Sequence, residues 1–306
     1  VTFYIGIDIG GTKIAGGLVT HEGHVVHRTE RPTPPMGGQA ILDTAIAVAR
    51  EVMTGETIEG VGIGTGGQID ADRGIVISAT EVLPKWAGMN VKAGFEKALG
   101  VPSAVENDVN ALAVGEARFG AACRLATVVF LALGTGVGGA LLLNGHLHHG
   151  AHWVGGEFGH ILLNIEPDAR RDASGHIGCL EAYCSGPGLA QTWREMAGSA
   201  DETVTGHMVG DWARQDPNGI AAQAVRKTGE YLGCGLTSLA NALDPDRFVI
   251  GGGLASLGDT LLNPARQILV SRAITGLATG PVVTATLGAD ASIIGAASLI
   301  MPHQPC

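Results

Sequence analysis

The first thirty residues alternate short apolar runs with glycine turns. Residues 4–9 are followed by Gly10-Gly11-Thr12, residues 14–19 by His21-Glu22-Gly23, and a third run covers 24–28. β-rich runs cut by such turns predict three antiparallel strands in a meander. An amphipathic stretch follows over 40–53, with Ile41, Ala45, Val48 and Val52 on one helical face. Residues 61–64 read as a short buried strand.

The second half repeats the plan. Residues 128–133, the Gly134-Thr135-Gly136 turn, residues 137–143, Asn144-Gly145 and residues 146–148 predict another three-strand meander. The run 125–143 is long enough for a membrane span, but Gly134, Thr135, Gly136, Gly138 and Gly139 break its middle, so strand–turn–strand is the expectation. Two copies of one plan suggest duplicated lobes facing each other. Between them, residues 101–106 read as a strand running into a helix over 107–119, with Asn107 or Asp108 as its N-cap. Helices are expected over 187–196, 204–214 and 219–243. A strand at 247–250 leads into Gly251-Gly252-Gly253, a last short strand covers 282–285 and a last helix 291–300. No low-complexity linker separates the copies.

Composition narrows the class. A chain of 306 residues, 45% hydrophobic and 16% charged, is globular and large enough for two domains. Its net charge of -10 argues against a nucleic-acid partner, which needs a basic face. Cys123, Cys179, Cys184, Cys234 and Cys306 are odd in number and scattered, which is not a disulfide framework. With no export signal visible in the opening VTFYIGIDIGG, a cytoplasmic protein is expected.

The chemistry begins at Asp8. A carboxylate at a strand end, followed by Gly10, Gly11, Thr12 and Lys13, offers successive N–H groups, a hydroxyl and an ammonium to a phosphate. Asp8 is placed for a magnesium ion, directly or through water. Gly134, Thr135 and Gly136 end the matching strand of the second copy, so two such turns can grip one polyphosphate. Gly252 and Gly253, after a strand, allow close approach to a flat adenine or ribose. Neither the dinucleotide fingerprint after the first strand nor the P-loop is present.

DIGGTK at 8–13, ENDVNA at 106–111, LGTGVGG at 133–139, GGEFGH at 155–160, GCLEA at 178–182 and VIGGG at 249–253 occur in order. Together they resemble the ROK family (repressors, open reading frames and kinases) over essentially the whole chain. The resemblance implies an α/β, two-lobed actin-like ATPase fold of duplicated ribonuclease H-like lobes with a cleft between them. One lobe is expected over 1–118, completed by a C-terminal helix near 290–306, and the other over 119–289. It further implies a homodimer, Mg-ATP, and transfer of the γ-phosphate to a sugar hydroxyl.

Carried over residue by residue, the resemblance makes Asp108 the general base toward the sugar's O6. A helix N-terminus is expected to keep that carboxylate ionised. Asn107 is expected on the ring's O3 and O4, with Glu157, His160 and Glu181 on other hydroxyls and Gly66 in a loop whose backbone approaches the sugar. Many members carry three cysteines that join the GH histidine in a zinc site. Here Asp172 and Ser174 stand at two of those positions and only Cys179 remains. No structural zinc is therefore expected; the alternative is a rebuilt site using His160 and Cys179 with Asp172 and His176.

The resemblance also covers sugar-sensing repressors, which carry a helix-turn-helix ahead of the lobe, whereas this sequence opens on the first strand. An actin-like ATPase without a sugar would have no use for Asn107, Asp108, Glu157, His160 and Glu181. The segment SATEVLPKW at 78–86, with GTGGQID at 64–70, looks more like N-acylmannosamine kinases than glucokinases. N-acetylmannosamine is thus the first acceptor expected, with glucose or another amino sugar or cyclitol as alternatives.

Overall fold

The computed structural model describes residues 2–274 and 281–302. The end of the expected C-terminal helical region, 303–306, lies outside them, as does Cys306. Two compact units form: Val1–Arg124, His149–Gly155 and Thr286–Cys306 make the first, Leu125–His148 and Gly156–Ala285 the second.

In the first unit, β1 (Phe3–Ile9), β2 (Lys13–Thr20) and β3 (Val25–Pro32) form the expected antiparallel meander. β4 (Ile58–Thr65) and β7 (Ser103–Asn107) continue it in parallel, giving the order β3-β2-β1-β4-β7. A hairpin of β5 (Gln68–Asp70) and β6 (Ile75–Ser78) stands beside it. Helix α1 (Gln39–Val52) lays Ile41, Ala45, Val48 and Val52 on Ile5, Ile7, Ile9 and Ile14. Burying an isoleucine or valine in this way contributes about 1.5–3 kcal/mol. Two further helices are α2 (Val91–Leu99) and α3 (Asp108–Phe119); α2 is capped by Asn90, which accepts from Ala93 N.

A distant helix covers the other face of this sheet: α9 (Ala291–Ser298) sets Ile293 and Ala297 against Tyr4, Ala15 and Val19. Its backbone comes so close that a Cβ on Gly6 would lie 2.0 Å from the Ile293 carbonyl, and one on Gly62 1.7 Å from that of Ala296. Glycine is what lets the helix seat there.

The second unit repeats the topology. β8 (Val128–Leu133), β9 (Val137–Leu143) and β10 (His146–Leu147) pair antiparallel, and β11 (Arg247–Gly251) and β12 (Val282–Thr284) continue in parallel, in the order β10-β9-β8-β11-β12. The apolar run 125–143 is thus β8, a turn and β9. Among the described residues no helix is long and apolar enough to cross a membrane. Helices α4 (Leu180–Cys184), α5 (Gly186–Ala197), α6 (Gly206–Gln215), α7 (Ile220–Leu243) and α8 (Asp259–Arg272) belong to this unit. Leu232 and Leu236 of α7 and Leu261 and Leu269 of α8 share a core with Val129, Leu131 and Leu133 of β8.

Candidate active site

In the first unit the turn after β1 closes when Gly10 N donates to Lys13 O at 3.0 Å, and Thr33 Oγ1 donates to Gly10 O at 2.6 Å. Asp8 sits one residue before the end of β1. Burial, opposed by a Ser292 hydrogen bond and reinforced by the charge of Asp108, pushes its carboxyl up to about 6. A bound cation would reverse that balance. Lys13 does not stand free for phosphate here: its Nζ donates to Glu30 on β3 at 2.7 Å.

Asn107 is the N-cap of α3. Its Oδ1 accepts from Val109 N at 2.9 Å and Asn110 N at 3.2 Å, and its Nδ2 donates to Gly67 O at 3.1 Å. The same amide also bonds the Asp108 carboxyl, so Asn107 ties the helix start to both Gly67 and Asp108. The helix terminus does not win at Asp108 as the sequence predicts. Burial raises its proton affinity, outweighing hydrogen bonds from Val109 N, its own N–H and Asn107. A carboxylate so raised is a better proton acceptor, as a general base requires. Asp8 and Asp108 are thus neighbours within one unit. Gly66 is not sterically demanded, since a Cβ there would meet only Leu83 at 3.4 Å. The demanding position is Gly67, at φ +110, where a Cβ would lie 2.3 Å from Ser78 O.

Sequence reading missed Glu106, although it heads the ENDVNA motif. It is buried, its Oε1 accepts from Asn107 N at 2.8 Å and Asn110 Nδ2 at 3.0 Å, and its Oε2 meets His149 Nε2 at 2.5 Å. A buried carboxylate without partners costs several kcal/mol, so these contacts are what allow it there.

In the second unit, Gly134 N donates to Gly136 O at 2.9 Å and Gly186 N to Gly134 O at 2.7 Å. Glu181, at the start of α4, accepts from Val137 N at 2.8 Å and lies against Gly136. It therefore braces the glycine turn. Gly134 and Thr135 border a cavity of ≈ 620 Å³, with Pro187, Arg194, Gly253 and Ser256 also on its wall. That volume suits a small-molecule ligand. Gly252 follows β11 with φ +81 and Gly253 opens a short 3-10 turn. Glu157 is exposed at the start of another 3-10 turn, Phe158–His160, so Glu157 and His160 flank one turn.

The family model described as the ROK family matches residues 4–302. The chain belongs to the ROK family. Its two units are the lobes of the actin-like ATPase fold. A glucokinase of Streptomyces coelicolor is 34% identical over 319 residues, covering 98% of this chain and 98% of that one. The crystal structure of a ROK family glucokinase from Streptomyces griseus, in complex with glucose and AMPPNP, superimposes with a TM-score of 0.80 at 35% identity, covering 97% of this chain and 98% of that one. An N-acetyl-D-glucosamine kinase of Citrobacter koseri is 32% identical over 262 residues, 83% of this chain and 84% of that protein.

In this ROK chain the loop before α4 gathers donors that the sequence separates. Ligand atoms of His160, Asp172 and Cys179 all lie within 4.8 Å of one another. His160 Nδ1 is 3.7 Å from Asp172 Oδ2, Cys179 Sγ donates to that oxygen at 3.3 Å, and His176 Nδ1 is 3.1 Å from it. Asp172 Oδ1 accepts from Ser174 N and His176 N, each at 2.9 Å. Burial raises Asp172, but these hydrogen bonds outweigh it and hold the carboxyl below its ordinary range. Burial, with the Asp172 contact, pushes the Cys179 thiol up. A tetrahedral zinc with bonds of about 2.0–2.3 Å sets its donors roughly 3.3–3.8 Å apart. His160 and Cys179 stand at that spacing from Asp172, while His176 approaches it more closely; the loss of two cysteines argues against zinc there. Ser174 joins only through its backbone N–H. Cys179, Cys184 and Cys234 are free thiols.

Proposed function

We propose that this chain phosphorylates the 6-hydroxyl of a hexose with ATP. It is a sugar kinase of the ROK family, and the observation that carries the reaction is Asp108. That residue is half-buried, its carboxyl raised in proton affinity, set at the N-terminus of α3 and electrostatically coupled to Asp8. In this reading Asp108 takes the proton from O6 while positioning it for in-line attack. Asn107, Glu157, His160, Glu181 and the backbone at Gly66 take the other sugar hydroxyls. His160 turns Nδ1 toward Asp172, which leaves Nε2 for a hydroxyl.

The turns Gly10–Lys13 and Gly134–Gly136 are assigned to phosphate, and the cavity beside Gly134, Thr135 and Gly253 to the nucleoside, with Gly252 behind it. Asp8 suits magnesium as an oxygen donor, directly or through water, and the ion would neutralise charge on the phosphates. A zinc ion at His160, Asp172 and Cys179, with His176 as the nearest fourth donor, would order the loop and take no part in transfer. Homodimerisation and a cytoplasmic site of action complete the reading on the family resemblance.

Glucose is the acceptor favoured by the two glucokinase relatives, which align over nearly the whole chain. N-acetylmannosamine, the first expectation, rests on SATEVLPKW with GTGGQID at 64–70, but Trp86 of the former segment is fully buried and donates Nε1–H to Thr65 Oγ1 at 2.9 Å. A tryptophan committed to the core does not read a sugar. An N-acetylated hexose remains the second reading, supported by the N-acetyl-D-glucosamine kinase relative.

The test is ADP release with glucose, mannose, N-acetylglucosamine, N-acetylmannosamine and no sugar. Turnover that requires glucose is expected. Turnover with none of them sinks the reading.

A further inference from the structure

The segment His149–Gly155 belongs to the first unit, although the chain on either side of it belongs to the second. Its ends meet, with Gly155 N donating to His149 O at 2.8 Å. Two contacts pin it to its unit. His149 Nε2 meets buried Glu106 Oε2 at 2.5 Å, and Gln68 Nε2 donates to His152 O at 2.6 Å. Both anchors touch the residues assigned above to the acceptor. Glu106 Oε1 holds the Asn107 N–H, and Gln68 follows Gly67, whose carbonyl receives the Asn107 amide.

Trp153 is the third observation. Its φ is +60, in the left-handed region that a bulky side chain adopts at a cost, and its ring lies 5.0 Å from the His149 ring. Strain of this kind persists where the surroundings over-determine it, and it concentrates at ligand-clamping segments. Nothing in the folding of the β-sheet requires an aromatic residue there. A glycine would fit the backbone better.

We propose that the His149–Gly155 loop is a positioning and specificity element for the phosphoryl acceptor. His149 acts through Glu106 on the junction that carries Asn107 and Asp108, and Trp153 holds the His149 ring in place. This rests on the kinase reading. The loop acts on the sugar and not on the nucleotide, because both of its anchors lie beside Asn107 while the nucleoside cavity is lined by the second unit alone. The effect is geometric: an ångström of misplacement at a reacting centre costs up to about a hundred-fold in rate.

The variants His149→Phe, His149→Gln and Trp153→Gly separate the parts. Phenylalanine keeps a ring against Trp153 and loses the donor to Glu106, glutamine keeps an N–H donor, and glycine relieves the backbone strain at 153. For His149→Phe, the glucose KM rises and kcat falls, together by about ten-fold or more in kcat/KM. The ATP KM stays where it was, and His149→Gln recovers part of the loss. Trp153→Gly raises the glucose KM without lowering the melting temperature. An active wild type whose variants change sugar and ATP parameters alike, or change neither, overturns the proposal alone. A wild type that turns over no sugar overturns both this and the kinase reading.

Discussion

At the residue scale the two carboxyls Asp8 and Asp108 carry most of the argument, and both are under tension. A carboxyl whose proton affinity rises on folding binds its proton more tightly in the folded chain than in the unfolded one. The folded state is therefore favoured at acid pH and loses that advantage as pH climbs from about 4 to about 6. For Asp8, raised from 3.8 to about 6, the charged form costs the fold roughly 3 kcal/mol at neutral pH. Asp8→Asn should raise the melting temperature of the ligand-free protein at pH 7, shrink that gain toward pH 4, and abolish kinase activity. A melting curve indifferent to the substitution would mean that Asp8 is better solvated than its surroundings imply. Asp108→Asn should lower kcat by about 10²–10⁴ with little change in glucose KM; unchanged kcat would leave that side chain only its place in the first turn of α3. The sequence made both carboxyls legible because each lies in a motif, Asp8 in DIGGTK and Asp108 in ENDVNA. It did not show the burial that outweighs the helix terminus at Asp108, since burial depends on packing from elements far along the chain, as where α9 lies against α3.

At the scale of elements, strands and helices followed the hydrophobic pattern closely, and the exceptions have physical causes. Helix α2 escaped because its buried positions, Val91 and Phe95, are few and Gly94 interrupts it. The segment His149–Gly155 follows the second meander in sequence, yet its histidine and its backbone bind the first unit. Hydrogen bonds to a distant glutamate and glutamine leave no periodicity to read. The loop before α4 is a third case, where the loss of two cysteines argues against a metal and folding brings His160, Asp172 and Cys179 together. Zinc added to chelator-treated protein at a hundred-fold excess over its Kd should stabilise the fold by about 2.7 kcal/mol. Asp172→Ala should remove that gain. A melting temperature unmoved by zinc would show that the Asp172 hydrogen bonds order the loop without an ion.

At the scale of the molecule, the duplication inferred from two glycine hairpins is present as two sheets of one topology, each a three-strand antiparallel meander continued by two parallel strands. β11 joins β8 from more than a hundred residues away and β12 then joins β11; both runs are visible in the sequence, but not the strands they pair with. The cavity assigned above to the nucleoside was not legible at all as a volume. Its wall draws on α5, α6 and the turn after β11, which only folding assembles. That separation gives a test of the assignment that needs no turnover. Adenosine lacks phosphates, so it engages the cavity without the phosphate turns. In hydrogen exchange it should protect amides at Gly134, Thr135, Gly206 and 253–257 in the second unit, and leave the turn at 10–13 in the first unchanged. Protection confined to the first unit, or none at concentrations where ATP supports turnover, would remove the nucleoside from this cavity and with it the division of labour proposed for the two units.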